Sequence, residues 1–298
     1  MNILAWSNSN SKEGLVYLVS IAECVLRYIT KNVENIKMRN RQDAESIASH
    51  FATYFEPDVS NSTESIKASF GIRHNVYAEE LKLEPMRANK LETDDFDSHS
   101  IHCLIKHRLS STFAGTVRII TSQSEEERLP IEVFCKDSIE DEEFLPSNFE
   151  RKDIVEISRL AVPEHFRRRQ MDEFDGAAIG AINEHTYSET ELRCFPFIAV
   201  GLYLSATAVL IEKNIHHCYV MVEPRLARSM RLVGLPFKQI GSVVDYHGQR
   251  APFIINPMEV PANLRKGFGE LLTEIRREIF EANQTCITPS TKHAGLRL

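Results

Sequence analysis

Glu156-Ile157-Ser158-Arg159-Leu160-Ala161-Val162-Pro163 lies near the middle of the chain, and the fold is read outward from it. Its run of aliphatic and β-branched residues predicts a strand over 153–162. Pro163, which offers no N–H to a ladder, stops it. Glu156 and Ser158 share one face of such a strand, and Arg159 points to the other unless a bulge intervenes. Charges inside an apolar strand are costly unless paired, so this strand requires partners from elsewhere in the chain.

Three earlier segments offer those partners. They are Arg73-His74-Asn75-Val76-Tyr77, Glu92-Thr93-Asp94-Asp95-Phe96-Asp97 and Gly115-Thr116-Val117-Arg118. Each sets charge in or beside an apolar element. The simplest arrangement that satisfies them all is one network: Arg73, Arg118 and Arg159 against Glu92, Asp94, Asp97 and Glu156. Bidentate guanidinium–carboxylate pairs suit that task.

The flanking sequence supplies the remaining elements. Apolar spacing of three and four predicts helices over 14–35 and 41–55, the second ended by Glu56-Pro57. Residues 58–65 read as a polar linker. A short strand over 66–70 precedes a helix over 72–83 and an acidic loop over 91–97. Strands over 99–107 and 112–121 form a hairpin around Ser110-Ser111, and 122–128 is a charged loop. Helices follow over 172–187 and 197–214. A strand over 217–222 leads into a helix over 224–233 that opens on Pro224. Strands over 242–246 and 252–255 flank the turn His247-Gly248-Gln249, and an amphipathic helix over 264–282 closes the chain. Hairpins in the first half and helix–strand alternation in the second predict an α+β fold with helices on both faces of a mixed sheet. The expected organisation is a helical extension and linker at 1–65, a main domain at 66–260, and a helix and tail at 261–298.

Composition narrows the function classes. The chain has 298 residues, ample for a sizeable core, with 43% hydrophobic and 26% charged residues. A net charge of −7 argues against a nucleic-acid partner, which needs a basic face. Six Cys stand at 24, 103, 135, 194, 218 and 286, none spaced as CxxC, so they read as reduced residues of a cytoplasmic protein. The His pattern predicts no metal site. Residues 194–211 carry no charge, but Pro196, Gly201, Ser205 and Thr207 favour a buried soluble helix over a membrane span. That helix reads as core, with an acyl-chain tunnel wall as the alternative.

The four charged segments, in this order, resemble the signature of the acyl-homoserine-lactone (autoinducer) synthases. There a helical Arg precedes an E-x-D-x-x-D loop, a strand Arg and an E-x-S-R strand. Glu92, Asp94 and Asp97 reproduce the loop, and Glu156, Ser158 and Arg159 the strand motif. The chain is more similar still to acyltransferases found beside exosortase (PEP-CTERM) systems and to N-acyl amino acid synthases. Residues 156–169, 221–224 and 246–252 carry that further likeness, which spans roughly residues 66–257. The exosortase-associated group has a Cys where this chain has Ala78.

The resemblance implies a GNAT-like fold, with a mostly antiparallel sheet flanked by helices. It also implies transfer of a thioester-bound acyl group to the amine of an amino acid or related small molecule. That reaction needs a base, an oxyanion donor and two binding sites, and no covalent intermediate. Glu156 is the candidate base, in a catalytic set with Ser158 and Arg159; the alternative is that it merely pairs with a strand Arg. A backbone N–H near residues 160–162 is the implied oxyanion donor. Arg73, Glu92, Asp94, Asp97 and Arg118 would bind or position substrate, or form a structural ion network. Arg167, Arg168 and Arg169, beside a helix N-terminus, would receive phosphopantetheine and an acidic carrier protein, or form a solvated basic run. Residues 167–172 contain none of the Gly that acetyltransferases use to cradle coenzyme A, which favours acyl carrier protein as donor. No permanently bound cofactor is expected. Two rivals remain: a coenzyme-A-dependent acetyltransferase, separated by donor preference, and a non-catalytic acyl-binding module, separated by Glu156→Gln.

Overall fold

Helix α1 (Gln42–Tyr54) ends directly in strand β1 (Phe55–Val59), which forms one edge of the sheet. The computed structural model describes residues 42–167, 197–246 and 248–281. Helix α2 (Thr63–His74) follows, continued by a π-helical turn at Asn75–Glu80. Then come β2 (Ser100–His107), β3 (Phe113–Thr121), the short α3 (Pro130–Phe134) and β4 (Ile154–Ala161). The second half holds α4 (Phe197–Glu212), β5 (His217–Val222), α5 (Pro224–Val233), β6 (Lys238–Gln239), β7 (Val244–Asp245), β8 (Gln249–Ile255) and α6 (Lys266–Arg276).

The strands form one sheet in the order β1-β2-β3-β4-β5-β8-β6, with β7 paired to β8. Among the described residues, only β4 and β5 run parallel, from Ile154↔His217 to Ile157↔Val220, and the other strand pairings are antiparallel. Side chains alternate between two apolar layers. Val117, Ile119, Val155, Ile157 and Val220 enter the larger core with α4 and α6, whereas Ile120, Ile154, Tyr219 and Met221 face a smaller one around Leu129 and Ile131. Burial of α4 almost all round confirms it as a core helix. Among the described residues, no helix is long and apolar enough to cross a membrane.

Three sequence expectations are corrected. Residues 66–70 are not a strand but part of α2, and the buried side chains of α2 are polar: Ser65, Ser69, Arg73 and His74. Residues 58–65 are not a linker, because β1 pairs with β2 and Ser62 caps α2 in a reciprocal box with Ser65. The boundary at 65/66 therefore cuts through α2. Likewise α1 and α6 pack on each other and lend Phe51 and Leu271 to the larger core, so these described parts of the two flanking segments pack with the main domain. The helices expected over 14–35 and 172–187 lie outside the described residues.

Candidate active site

Strand β4 changes character at its centre. Arg159 adopts a left-handed backbone, φ +53°, and the β3–β4 register slips between Arg118↔Ser158 and Thr116↔Ala161. This is the bulge that lets Arg159 reach the network despite strict alternation. Gly115 permits the close strand approach beyond it, since a Cβ there would sit 2.9 Å from the Ala161 carbonyl oxygen. Pairing of β4 with β5 stops at Ile157↔Val220, before either strand ends. A cleft opens at this end of the sheet, with Ser158, Arg159 and Leu160 on one wall and Met221, Val222 and Glu223 on the other. It encloses about 930 Å³ of atom-free space, part of it open to solvent.

The arginine network forms as expected, with one member changed. Arg73, fully buried, pairs with Glu92 through Nε and grips Asp97 with both terminal nitrogens, at 2.6 and 3.1 Å. Arg118 Nη1 donates to Asp94 Oδ1 at 2.5 Å and Asp97 Oδ1 at 2.8 Å, and its Nε donates to Ser158 Oγ at 3.1 Å. Arg159 Nη2 lies 3.1 Å from Glu84 Oε1, 3.3 Å from Glu92 Oε1 and 3.5 Å from Asp94 Oδ2. The acidic loop folds as a 3₁₀ turn (Asp95–His99) capped by Asp94, which turns Asp94 and Asp97 toward the arginines and leaves Asp95 exposed. Burial alone would raise the Asp97 pKa; the Arg73 hydrogen bond and charge, with Arg118, bring it down to about 2. Glu84 joins this network, although no sequence signal singled it out. His102 sits beneath it, hydrogen-bonded to Ser69; burial and then Arg73 lower its pKa to about 4, which keeps it neutral.

Glu156 stands outside the network, contrary to expectation. It shares the face of Ile120 and Tyr219, and its Oε2 accepts from the Ile131 N–H at 2.8 Å, at the start of α3. Buried on the cleft wall, it is 2% exposed. Burial raises its pKa from 4.5 to about 8, and the Ile131 hydrogen bond and the Arg118 charge only partly oppose this. Arg73 does not line the cleft, whereas Arg118 and Arg159 do. Tyr77 also lines it, and its hydroxyl donates to the Leu160 carbonyl at 2.6 Å, which holds the β4 terminus. Ala78 is buried, so this position brings no reactive group to the cleft.

The basic run divides. Arg167 is engaged internally: it pairs with Glu80 and donates to the Val162 carbonyl at 2.7 Å. Arg168, Arg169 and His247 lie outside the described residues. Among the described residues, no group of three or more His, Cys, Asp or Glu side chains is arranged to hold a metal ion.

Residues 72–175 match the family model described as acetyltransferase (GNAT) domain, a span holding the arginine network and Glu156. The fold is GNAT-like, and the match over this third of the chain indicates an acyltransferase domain. Among solved structures, the chain is similar to TofI in a ternary complex with an inhibitor and MTA. The identity is 15% and the TM-score 0.50, over 72% of this chain and 99% of that one. It is also similar to the AHL synthase LasI, at 12% identity over 71% and 97% of the chains, TM-score 0.49. The N-acyl amino acid synthase FeeM from uncultured soil microbes gives 13% identity over 70% and 94%, TM-score 0.46. No curated protein sequence matches the chain.

Proposed function

We propose that this acyltransferase moves a medium or long acyl chain from the phosphopantetheine thioester of an acyl carrier protein to the amine of an amino acid or close relative. The product is an N-acyl amino acid or N-acyl homoserine lactone. One observation carries this reading: Glu156 presents a buried carboxyl to the cleft, outside the arginine network, with its pKa raised to about 8 by burial. A carboxylate poised there accepts a proton from the acceptor's ammonium, directly or through a water, near the pH of the reaction, and the freed amine attacks the thioester carbonyl and expels the thiolate.

The other residues take supporting roles. Arg118 fixes Ser158, and Arg159, held by Glu84, Glu92 and Asp94, shapes the bulge at which β4 leaves β5. A backbone N–H of the segment 160–162 would stabilise the thioester oxyanion, and Tyr77 and Arg167 steady the carbonyls on either side. Arg73, Glu92 and Asp97 hold this geometry from behind the cleft, and Asp94 holds it from the cleft wall. Arg168 and Arg169 would meet the carrier protein's acidic surface, and the absence of Gly from 167–172 favours that donor over coenzyme A. The buried free thiols of Cys103, Cys135 and Cys218 fit a cytoplasmic setting.

The test is direct. Purified protein is incubated with long-chain acyl carrier protein or acyl-CoA and an amino acid mixture, and thiol release and N-acyl products are followed by mass spectrometry. Product from the carrier-protein donor, formed at least about 100-fold more slowly by Glu156→Gln, supports the reading. A preference for acetyl-CoA, or an undiminished rate in Glu156→Gln, overturns it.

A further inference from the structure

The cleft holds two opposite charges that the arginine network does not use. Glu223 follows the last residue of β5, and Arg250 lies in β8. The β5–β8 register runs from Cys218↔Ile255 to Val222↔Ala251, so its next step sets Glu223 beside Arg250. Both line the cleft. By alternation they share the face of Met221, Tyr219 and Glu156.

One buried polar atom of each has no hydrogen-bond partner among the described residues. Glu223 is 8% exposed, and its Oε1 is buried without a hydrogen bond; the same holds for Arg250 Nε among the described residues. Buried polar atoms are nearly always bonded, and two orphans of opposite sign on one wall require explanation. Arg118 and Arg159, by contrast, are occupied by Asp94, Asp97, Glu84 and Glu92. An incoming carboxylate therefore finds an unbonded guanidinium Nε at Arg250. The Nε edge of a guanidinium matches a carboxylate in a bidentate fork.

We propose that Glu223 and Arg250 form the acceptor subsite, with Arg250 receiving the α-carboxylate and Glu223 the α-ammonium of a free amino acid. The assignment rests on the acyl-transfer reading above and narrows it to a zwitterionic acceptor. It sets the reacting nitrogen on the face of the sheet that carries Glu156, so that Glu223 holds the charged amine and Glu156 takes its proton. Glu223 and Arg250 are binding residues here, and neither exchanges a proton with the thioester.

Calorimetry with the standard L-amino acids, one at a time and without acyl donor, tests the subsite separately from catalysis. At least one amino acid binds. Its methyl ester, which lacks the carboxylate, and its N-acetyl derivative, which lacks the ammonium, each bind about 10–100-fold more weakly. Glu223→Gln and Arg250→Met weaken the parent amino acid by a similar factor, and Arg250→Lys retains part of the affinity. Unchanged melting temperatures establish that the variants fold. In turnover, KM for the amino acid rises while KM for the acyl donor stays constant. Absence of binding by every free amino acid overturns the assignment, even if the chain acylates some other amine. A rise confined to the donor KM also overturns it, and assigns the pair to the phosphopantetheine arm. Amino acid binding that depends on both residues, in a chain that transfers no acyl group, would leave the subsite standing and sink the reaction instead.

Discussion

The backbone N–H of Ile131 donates to Glu156 Oε2 at 2.8 Å, and this single bond joins the start of α3 to the cleft wall. Because the carboxyl is buried and lacks a guanidinium partner, its protonated form is favoured to about pH 8. The kcat/KM for acyl transfer should therefore climb with pH and level off near 8. Glu156→Gln should lose about 10²–10⁴-fold in rate together with this limb of the profile. A profile with the same rising limb in Glu156→Gln would assign the titration to the amine.

Two carboxylates should tilt stability in opposite directions. Asp97 is held at about 2 against an ordinary 3.8, so its contribution is complete above 3.8 and lost as the pH falls toward 2. Glu156 is raised from 4.5 to about 8, so the folded state binds its proton more tightly than the unfolded chain. Its contribution is complete below 4.5 and lost as the pH rises through 8. Urea midpoints measured across this range should decline at both ends. The alkaline decline should flatten in Glu156→Gln.

Asp97→Asn should destabilise the fold strongly. Arg73 is fully buried, and Asp97 supplies both carboxylate oxygens to it and one to Arg118. Removing one partner of a buried pair costs about 3–5 kcal/mol, seen as a lower denaturation midpoint. A loss under 1 kcal/mol would show that Glu92 and Asp94 already suffice.

Tyr77→Phe removes the hydroxyl that holds the Leu160 carbonyl and leaves that oxygen unsatisfied. The expected cost is about 1–3 kcal/mol. Faster amide exchange confined to the end of β4 would locate the effect at the cleft.

Gly115→Ala tests the strand approach behind the bulge. An added Cβ would meet the Ala161 oxygen at 2.9 Å and the Leu202 side chain at 3.0 Å. Overpacking of this kind costs about 1–3 kcal/mol. Parallel loss of activity would tie the bulge to the geometry of Arg159.

Elements whose local signal agrees with their burial were legible from residues alone. β5 (His217–Val222) and α5 (Pro224–Val233) carry clear apolar patterns and a proline at the first helical turn, and their bounds match the expectation. The convergence of Arg73, Arg118 and Arg159 on the Glu92–Asp97 loop was also legible, because buried charge demands a partner. Residues 66–70 misled. Ile66, Ala68 and Phe70 alternate as in a strand, yet α2 buries Ser65, Ser69 and Arg73 to meet Thr116, His102 and Asp97, a polar inner face that hydrophobic periodicity does not register.

The sequence by itself determined which charged side chains must find one another, since three arginines set in or beside apolar elements, too costly to bury alone, faced one acidic loop. Only the tertiary structure decided which carboxylate was left over. The bulge at Arg159 turns the guanidinium toward Glu84, Glu92 and Asp94, whereas Glu156, two residues before Ser158 on the same face of β4, lies beside Ile131 and bonds to its N–H instead. The same register aligns Glu223 with Arg250 across β5 and β8, from segments too far apart in the chain for any local pattern to join them. Pairing partners follow from chemistry that each residue carries, whereas the face a residue occupies depends on register and bulges set by packing of the whole sheet.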